Sequence, residues 1–353
     1  MLHPRKVPAG NYSDAMRTIE DIVQEAGAVD ASDILLSQNA QLFFRVDGEV
    51  QPHGDCPNFI SEFYRLVPGL EEALKHKSGT VDLPAVIAGN RFRATVYKER
   101  TGVSAALRPI PDKIIPAAKL GIDSSLLGKV RASSHGLILV TGPSGCGKST
   151  TVNCLVDHIN QTRREHILTI EDPIEFIYTP ARSAIEQREM GQHFDTFSDA
   201  IRSAVRSNLD VIVVGEVRDY ETARAVLQAA ETGLLVFATL HTKRVYNTIS
   251  RLIGMSPAEE KEDIRSTLAN NLLMIISQLL LKRAGGGRVA AREIMMQTDS
   301  TANLIREGKE KAIEGVLATH REEGMINLTT SIKTLYGSRL IDAQTFAENS
   351  SAV

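Results

Sequence analysis

The chain has 353 residues, of which 42% are hydrophobic and 24% charged, so it can bury a large core and is expected to fold as two domains. A formal net charge of -3 argues against a surface built wholesale for polyanions, and nucleic acid is not the default partner. The three cysteines, Cys56, Cys146 and Cys154, show no metal-ligand spacing and suit a reducing cytosol.

The first ten residues are basic but lead into polar sequence, so no secretory signal is expected. Apolar residues Met16, Ile19, Ile22 and Val23 recur at helical spacing and predict an amphipathic helix over residues 13–24. Short strands are expected at 33–37 and 42–46, the second closed by Asp47-Gly48, and an antiparallel pair at 91–97 and 104–108 around Thr101-Gly102. Three prolines, Pro109, Pro111 and Pro116, disfavour both helix and central strand, which places an interdomain linker at 109–116 between a small α+β domain (1–108) and a larger one (117–353).

Beyond the linker, apolar strands alternate with helices, the pattern of a mostly parallel sheet covered on both faces. Strands are expected at 136–140, 167–170, 211–214 and 234–240. Helices are expected after Thr196, capped with Asp199 three residues on, and from Asp219 to Gly233. A further helix is expected to open at Ser256-Pro257-Ala258-Glu259 and to run to about Arg283, with Ile264, Leu268, Ile275 and Leu279 on one face and Gly285-Gly286-Gly287 as its stop. The most apolar run, 272–281, is interrupted by Ser277 and Gln278 and falls short of the ~20 residues a membrane span needs. Membrane association would come through partners.

Residues 142–149 read G-P-S-G-C-G-K-S, a P-loop placed after a buried strand and before a helix. Gly142, Pro143, Ser144, Gly145, Cys146, Gly147, Lys148, Ser149 and Thr150 are therefore expected to bind ATP. Backbone N–H groups would cradle the phosphates, Lys148 would reach the β- and γ-phosphates, and Ser149 would ligate Mg²⁺. The strand at 211–214 leads into Gly215-Glu216, which resembles a Walker B element with glycine where many P-loop ATPases carry aspartate. Glu216 is the single acid there and is expected to serve Mg²⁺ directly or through its hydration shell. The residue that orients the attacking water should then come from elsewhere. Glu171, at the end of the preceding strand, is the candidate, although it and Asp172 also suit a turn or capping pair before Pro173. His241 ends the strand at 234–240 and is either a γ-phosphate contact or a structural hydrogen-bonder.

The P-loop, I-L-T-I-E-D-P-I-E-F at 167–176, V-G-E-V-R-D at 214–219 and A-E-T-G-L-L-V-F-A-T-L-H-T at 230–242 occur in the order of the Walker A, Asp box, Walker B and His box of the PilT-like ATPases of type IV pili and secretion systems, which the chain resembles. The resemblance implies a RecA-like P-loop ATPase domain joined to a smaller, PAS-like N-terminal domain. It implies a cytoplasmic homo-hexamer that converts ATP hydrolysis to work on an inner-membrane pilus or secretion platform, with pilus retraction the favoured task and a Dot-type or conjugative secretion ATPase the alternative. It further implies that first-domain arginines reach the γ-phosphate, with Arg93 and Arg108 the matching positions and Arg100 a third. Asn208-Leu209-Asp210 and Lys243-Arg244-Val245-Tyr246 depart from the family pattern. A DNA motor would call for a basic or aromatic stripe that this tryptophan-free chain does not display, and a non-hydrolysing scaffold would have no need of Glu171.

Overall fold

The computed structural model describes residues 17–38, 41–56, 58–67, 69–76, 79–100, 102–110 and 113–350. The chain divides into two units, Met1–Asp112 and Lys113–Val353.

In the first unit α1 (Ile19–Ala28) starts on a capping box, Thr18 accepting from the Asp21 N–H. It begins later than the periodicity suggested, and residues 13–16 lie outside the described residues. There follow β1 (Asp33–Ser37), β2 (Gln41–Val46), β3 (Glu49–Asp55), α2 (Ile60–Leu66), α3 (Leu70–His76), β4 (Thr80–Ile87), β5 (Asn90–Glu99) and β6 (Gly102–Ile110). The six strands form one antiparallel sheet in the order β3-β2-β1-β6-β5-β4. Alternate residues of β5, Phe92, Ala94 and Val96, are buried with Ile19, Ile22, Phe63 and Leu74 from the helices. Strands β3 and β4 were not anticipated; each carries a proline, Pro52 and Pro84, and both are sheet edges, where a proline is tolerated because only one side of the strand is paired. Pro109 and Ile110 lie in β6 and not in the expected linker. This is possible because the ladder with β1 ends at Leu107 and Pro109 faces only Phe92 of β5.

The second unit contains α4 (Ser124–Ala132), β7 (Gly136–Thr141), α5 (Lys148–Thr162), β8 (His166–Glu171), β9 (Ala184–Glu189), α6 (Phe197–Ala204), β10 (Val211–Val214), α7 (Tyr220–Glu231), β11 (Leu235–Leu240), α8 (Val245–Met255), α9 (Lys261–Asn271), β12 (Leu272–Lys282), β13 (Arg288–Met296), α10 (Asp299–Arg306), α11 (Ile313–Thr319), α12 (Leu328–Gly337) and α13 (Ala343–Ser350). A seven-stranded sheet runs β13-β12-β7-β11-β10-β8-β9, parallel throughout except for the β12–β13 hairpin. Every residue of β7, β10 and β11 is buried, as strands covered on both faces must be. The anticipated caps are present: Thr196 accepts from the Asp199 N–H and Asp219 from the Thr222 N–H.

Residues 256–283 do not form the single helix expected. A short 3-10 turn at Ala258–Glu260 leads into α9, and Ser256 bonds backward to the Ile253 carbonyl instead of capping forward. From Leu272 the chain is strand β12, parallel to β7 on one side and antiparallel to β13 on the other. A continuous apolar run fits a buried helix and a buried strand equally, and the open slot beside β7 overrides the helix preference of leucine and methionine. Residues 285–287 accordingly turn a hairpin, with the Arg283 N–H bonded to the Gly287 carbonyl.

Candidate nucleotide site

Because the strands are parallel, the C-terminal ends of β7, β8, β10 and β11 lie along one edge of the sheet, where open α/β sheets bind ligands. Residues 142–147 connect β7 to α5, so the amides of this loop and the positive end of a 15-residue helix share that edge. A methyl group at Gly142 (φ 144°) would lie 2.3 Å from the Gln278 carbonyl oxygen and 2.5 Å from Cys146 Sγ, so only glycine fits where the loop leaves β7. The loop is braced from β12. Gln278 donates to the Cys146 carbonyl (2.7 Å) and accepts from Thr151 Oγ1 of α5 (2.9 Å), all three groups being buried. Sequence motifs gave Gln278 no role, although a polar pair inside an apolar run was the signal that something buried needs a hydrogen bond.

Lys148 is buried, and its Nζ lies 3.2 Å from the Gly142 carbonyl, 3.4 Å from that of Pro143 and 3.2 Å from His241 Nδ1. Burial pushes its ammonium below the ordinary lysine value, against the opposing pull of Cys146, Glu216 and Glu175. Ser144 Oγ lies 3.4 Å from the same imidazole nitrogen, and His241 Nε2 is 3.0 Å from Glu216 Oε1. Since an ammonium only donates, Nδ1 is the acceptor and Nε2 carries the proton given to Glu216. Arg218 pairs with the other oxygen of Glu216 (2.8 Å) and reaches Asp172 (3.5 Å). Burial pushes the Glu216 carboxyl up, but Arg218, His241 and Lys148 together hold it below the usual carboxylate value. Lys148, His241 and Glu216 are thus brought into one chain of contacts, with Ser149 and Thr150 half-buried in the first turn of α5 beside Lys148.

Gly215, which stands where many P-loop ATPases carry the Walker B aspartate, is tightly placed. Its N–H bonds to the Ile170 carbonyl (2.8 Å), and a Cβ there would sit 3.2 Å from that oxygen and 3.3 Å from Glu171 Cα. The backbone after β10 passes close against Glu171, so a side chain there would require that backbone to shift by a few tenths of an ångström. Glu171 itself is buried at the end of β8 and accepts from Thr169 Oγ1 (2.6 Å), Gln187 Nε2 (3.1 Å) and the Glu175 N–H (3.4 Å). Burial pushes its carboxyl above the ordinary glutamate value. In the first unit, Arg93 and Arg108 are direct neighbours across β5 and β6, and Arg108 binds Asp33 through Nε (3.0 Å) and Nη2 (2.9 Å).

These features could hold a nucleoside triphosphate and, through Ser149 and Glu216, a divalent cation, for which a serine at the helix start and an anionic carboxylate are suitable oxygen donors. Among the described residues no helix is long and apolar enough to cross a membrane. The family model for type II/IV secretion system proteins matches residues 11–339. The chain is 40% identical over 328 residues to the type IV pilus retractation ATPase PilT of Pseudomonas aeruginosa, covering 90% of this chain and 94% of that protein. A crystal structure of the pilus retraction motor PilT with bound ADP superposes with a TM-score of 0.84 at 39% identity, covering 94% and 96% of the two chains. The ATPase DotB of Legionella pneumophila shares the fold, with a TM-score of 0.85 at 23% identity and coverage of 97% and 98%. Motif order, the phosphate-loop geometry and near full-length similarity agree, and the chain belongs to the type II/IV secretion ATPase family.

Proposed function

We propose that the protein hydrolyses ATP as a six-subunit cytoplasmic motor that retracts a type IV pilus through an inner-membrane platform protein. The observation that carries the reading is the meeting, at one sheet edge, of a braced P-loop with Lys148, the His241–Glu216 pair and the buried Glu171. In this reading the loop amides and Lys148 bind the β- and γ-phosphates, exchanging the lysine's contacts with the Gly142 and Pro143 carbonyls for phosphate oxygens. Mg²⁺ held by Ser149 and Glu216 would polarise the phosphoryl group and neutralise its charge. His241, already bonded to Lys148 and Glu216, reports the γ-phosphate because any movement of Lys148 redistributes its own hydrogen bonds.

Glu171 orients the attacking water. The water oxygen bonds to the γ-phosphorus, the bond to the ADP oxygen breaks with its electron pair, and the water proton passes to the carboxylate. A carboxyl raised by burial is a stronger base than an exposed one, as this step requires. Arg93 and Arg108 take the role the family resemblance implies, neutralising charge on the transferring phosphoryl group.

Steady-state ATPase activity measured with oligomer mass tests the proposal. Turnover confined to a six-subunit species, abolished in Lys148→Ala with the fold intact and nearly abolished in Glu171→Gln with ATP binding retained, is the expected result. Wild-type turnover in Glu171→Gln removes its assigned role, and hydrolysis by a monomer removes the ring.

A further inference from the structure

The two oxygens of Glu171 are not equivalent. Thr169 and Glu171 are two apart on β8 and share a face, and Gln187 is the direct parallel-ladder neighbour of Thr169 on β9. Thr169 Oγ1 (2.6 Å) and Gln187 Nε2 (3.1 Å) both donate to Oε1, while among the described residues Oε2 receives only the long bond from the Glu175 N–H (3.4 Å). The Gln187 amide is fixed in this orientation. Its oxygen accepts from the Tyr178 N–H (2.9 Å), which can only donate, and its nitrogen donates to the Phe176 carbonyl (2.7 Å), which can only accept. The same side chain therefore clamps the segment leaving Glu171 and presses one proton onto the carboxylate from the neighbouring strand.

We propose that Thr169 and Gln187 are positioning residues for water activation: by filling Oε1 with two donors they present Oε2 as the oxygen that takes the water proton. The proposal rests on the reading of Glu171 as the water-orienting base. A carboxylate oxygen accepts about two hydrogen bonds, so Oε1 has no capacity left for water whereas Oε2 does. The two donors also prevent the carboxylate from rotating, which keeps that oxygen in the attack geometry. The titratable groups facing Glu171 are Glu175, from the segment after it, Glu189, its ladder neighbour on β9, and Tyr178, whose hydroxyl donates to Asn153 Oδ1 of α5 (2.7 Å). Glu189 is occupied on its own account, accepting from the Ile174 N–H (3.1 Å).

The test is kcat, KM for Mg·ATP and the pH profile of kcat in the full-length protein carrying Thr169→Val, Thr169→Ser, Gln187→Glu or Glu171→Gln. Thr169→Val removes one donor from Oε1. It is expected to lower kcat by about 10-fold or more at unchanged KM. It also removes a bond that favours the ionised carboxylate, so the acid limb of the profile should move to higher pH. Thr169→Ser, which keeps the hydroxyl, should restore both. Gln187→Glu keeps the acceptor for Tyr178 but replaces a donor with a second carboxylate, so its acid limb should move further in the same direction. If Glu171→Gln is inactive while Thr169→Val has the wild-type kcat and pH limb, the positioning role is wrong and the base stands. A loss in Thr169→Val that is uniform across pH and not recovered by serine also overturns it, as a merely structural effect. Wild-type turnover in Glu171→Gln overturns the base itself.

Discussion

Replacing Gln278 with leucine separates the stability of the nucleotide loop from the chemistry it supports. The side chain makes two buried hydrogen bonds, to the Cys146 carbonyl and from Thr151 Oγ1, and leucine keeps the approximate volume while removing both. Each abandoned partner is buried, and an unsatisfied buried polar group costs about 1–3 kcal/mol, so the variant should lose roughly 2–6 kcal/mol. The loss is not confined to the core, because the Cys146 carbonyl is part of the loop whose amides bind the phosphates in the proposed function. Loosening it should weaken ADP by about 10-fold, equivalent to ~1.4 kcal/mol of the total. Denaturant unfolding with a linear extrapolation measures the first quantity, and titration with a fluorescent ADP analogue the second. The double variant Thr151→Val with Gln278→Leu leaves only the carbonyl unpaired and should lose less than the sum of the two single losses. An unchanged unfolding midpoint, or a destabilised protein that binds ADP as tightly as wild type, would refute the brace.

Other expectations follow from particular contacts. Because burial holds the Glu171 carboxyl above its unfolded value, its ionisation destabilises the fold: the deficit is absent below the unfolded pKa and complete above the folded one. Glu171→Gln should therefore unfold at higher temperature than wild type at neutral pH, with the gain shrinking as the pH falls through the folded pKa. Arg108 is 67% exposed where it meets Asp33, so Arg108→Ala should cost less than about 1 kcal/mol by thermal unfolding. The same variant should lose ATPase turnover on the order of 10³-fold if its guanidinium serves the γ-phosphate, and normal turnover would end that assignment. Arg244 is the partner of the fully buried Glu293, which also accepts the Val245 N–H at the start of α8 (2.7 Å). Arg244→Ala leaves that carboxylate without its cation and should cost about 3–5 kcal/mol in denaturant unfolding.

The positions of the P-loop, the acid after β10, the acid that ends β8 and the histidine after β11 were all legible from the sequence. Each sits at the end of an apolar run bounded by polar or glycine residues, and a parallel sheet carries such runs to one edge by its own geometry. Strand β9 was not legible. Its residues, Ala-Ile-Glu-Gln-Arg-Glu, have no apolar periodicity, and it exists because the edge of β8 offers a ladder to pair with. With β9 missing, the donor that Gln187 supplies to Glu171 could not be foreseen.

Motif order and hydrophobic pattern alone pointed to an α/β protein of the secretion ATPase family and located its P-loop sequence, because those signals are written in consecutive residues. Tertiary structure alone decided that 272–282 is a strand, that Gln278 reaches across 132 residues of sequence to the Cys146 carbonyl, and that Gly215 packs closely against a neighbouring backbone. Strand pairing and the satisfaction of buried polar groups are contacts between distant segments, and the free energy that selects them arises only when those segments share one water-excluded interior.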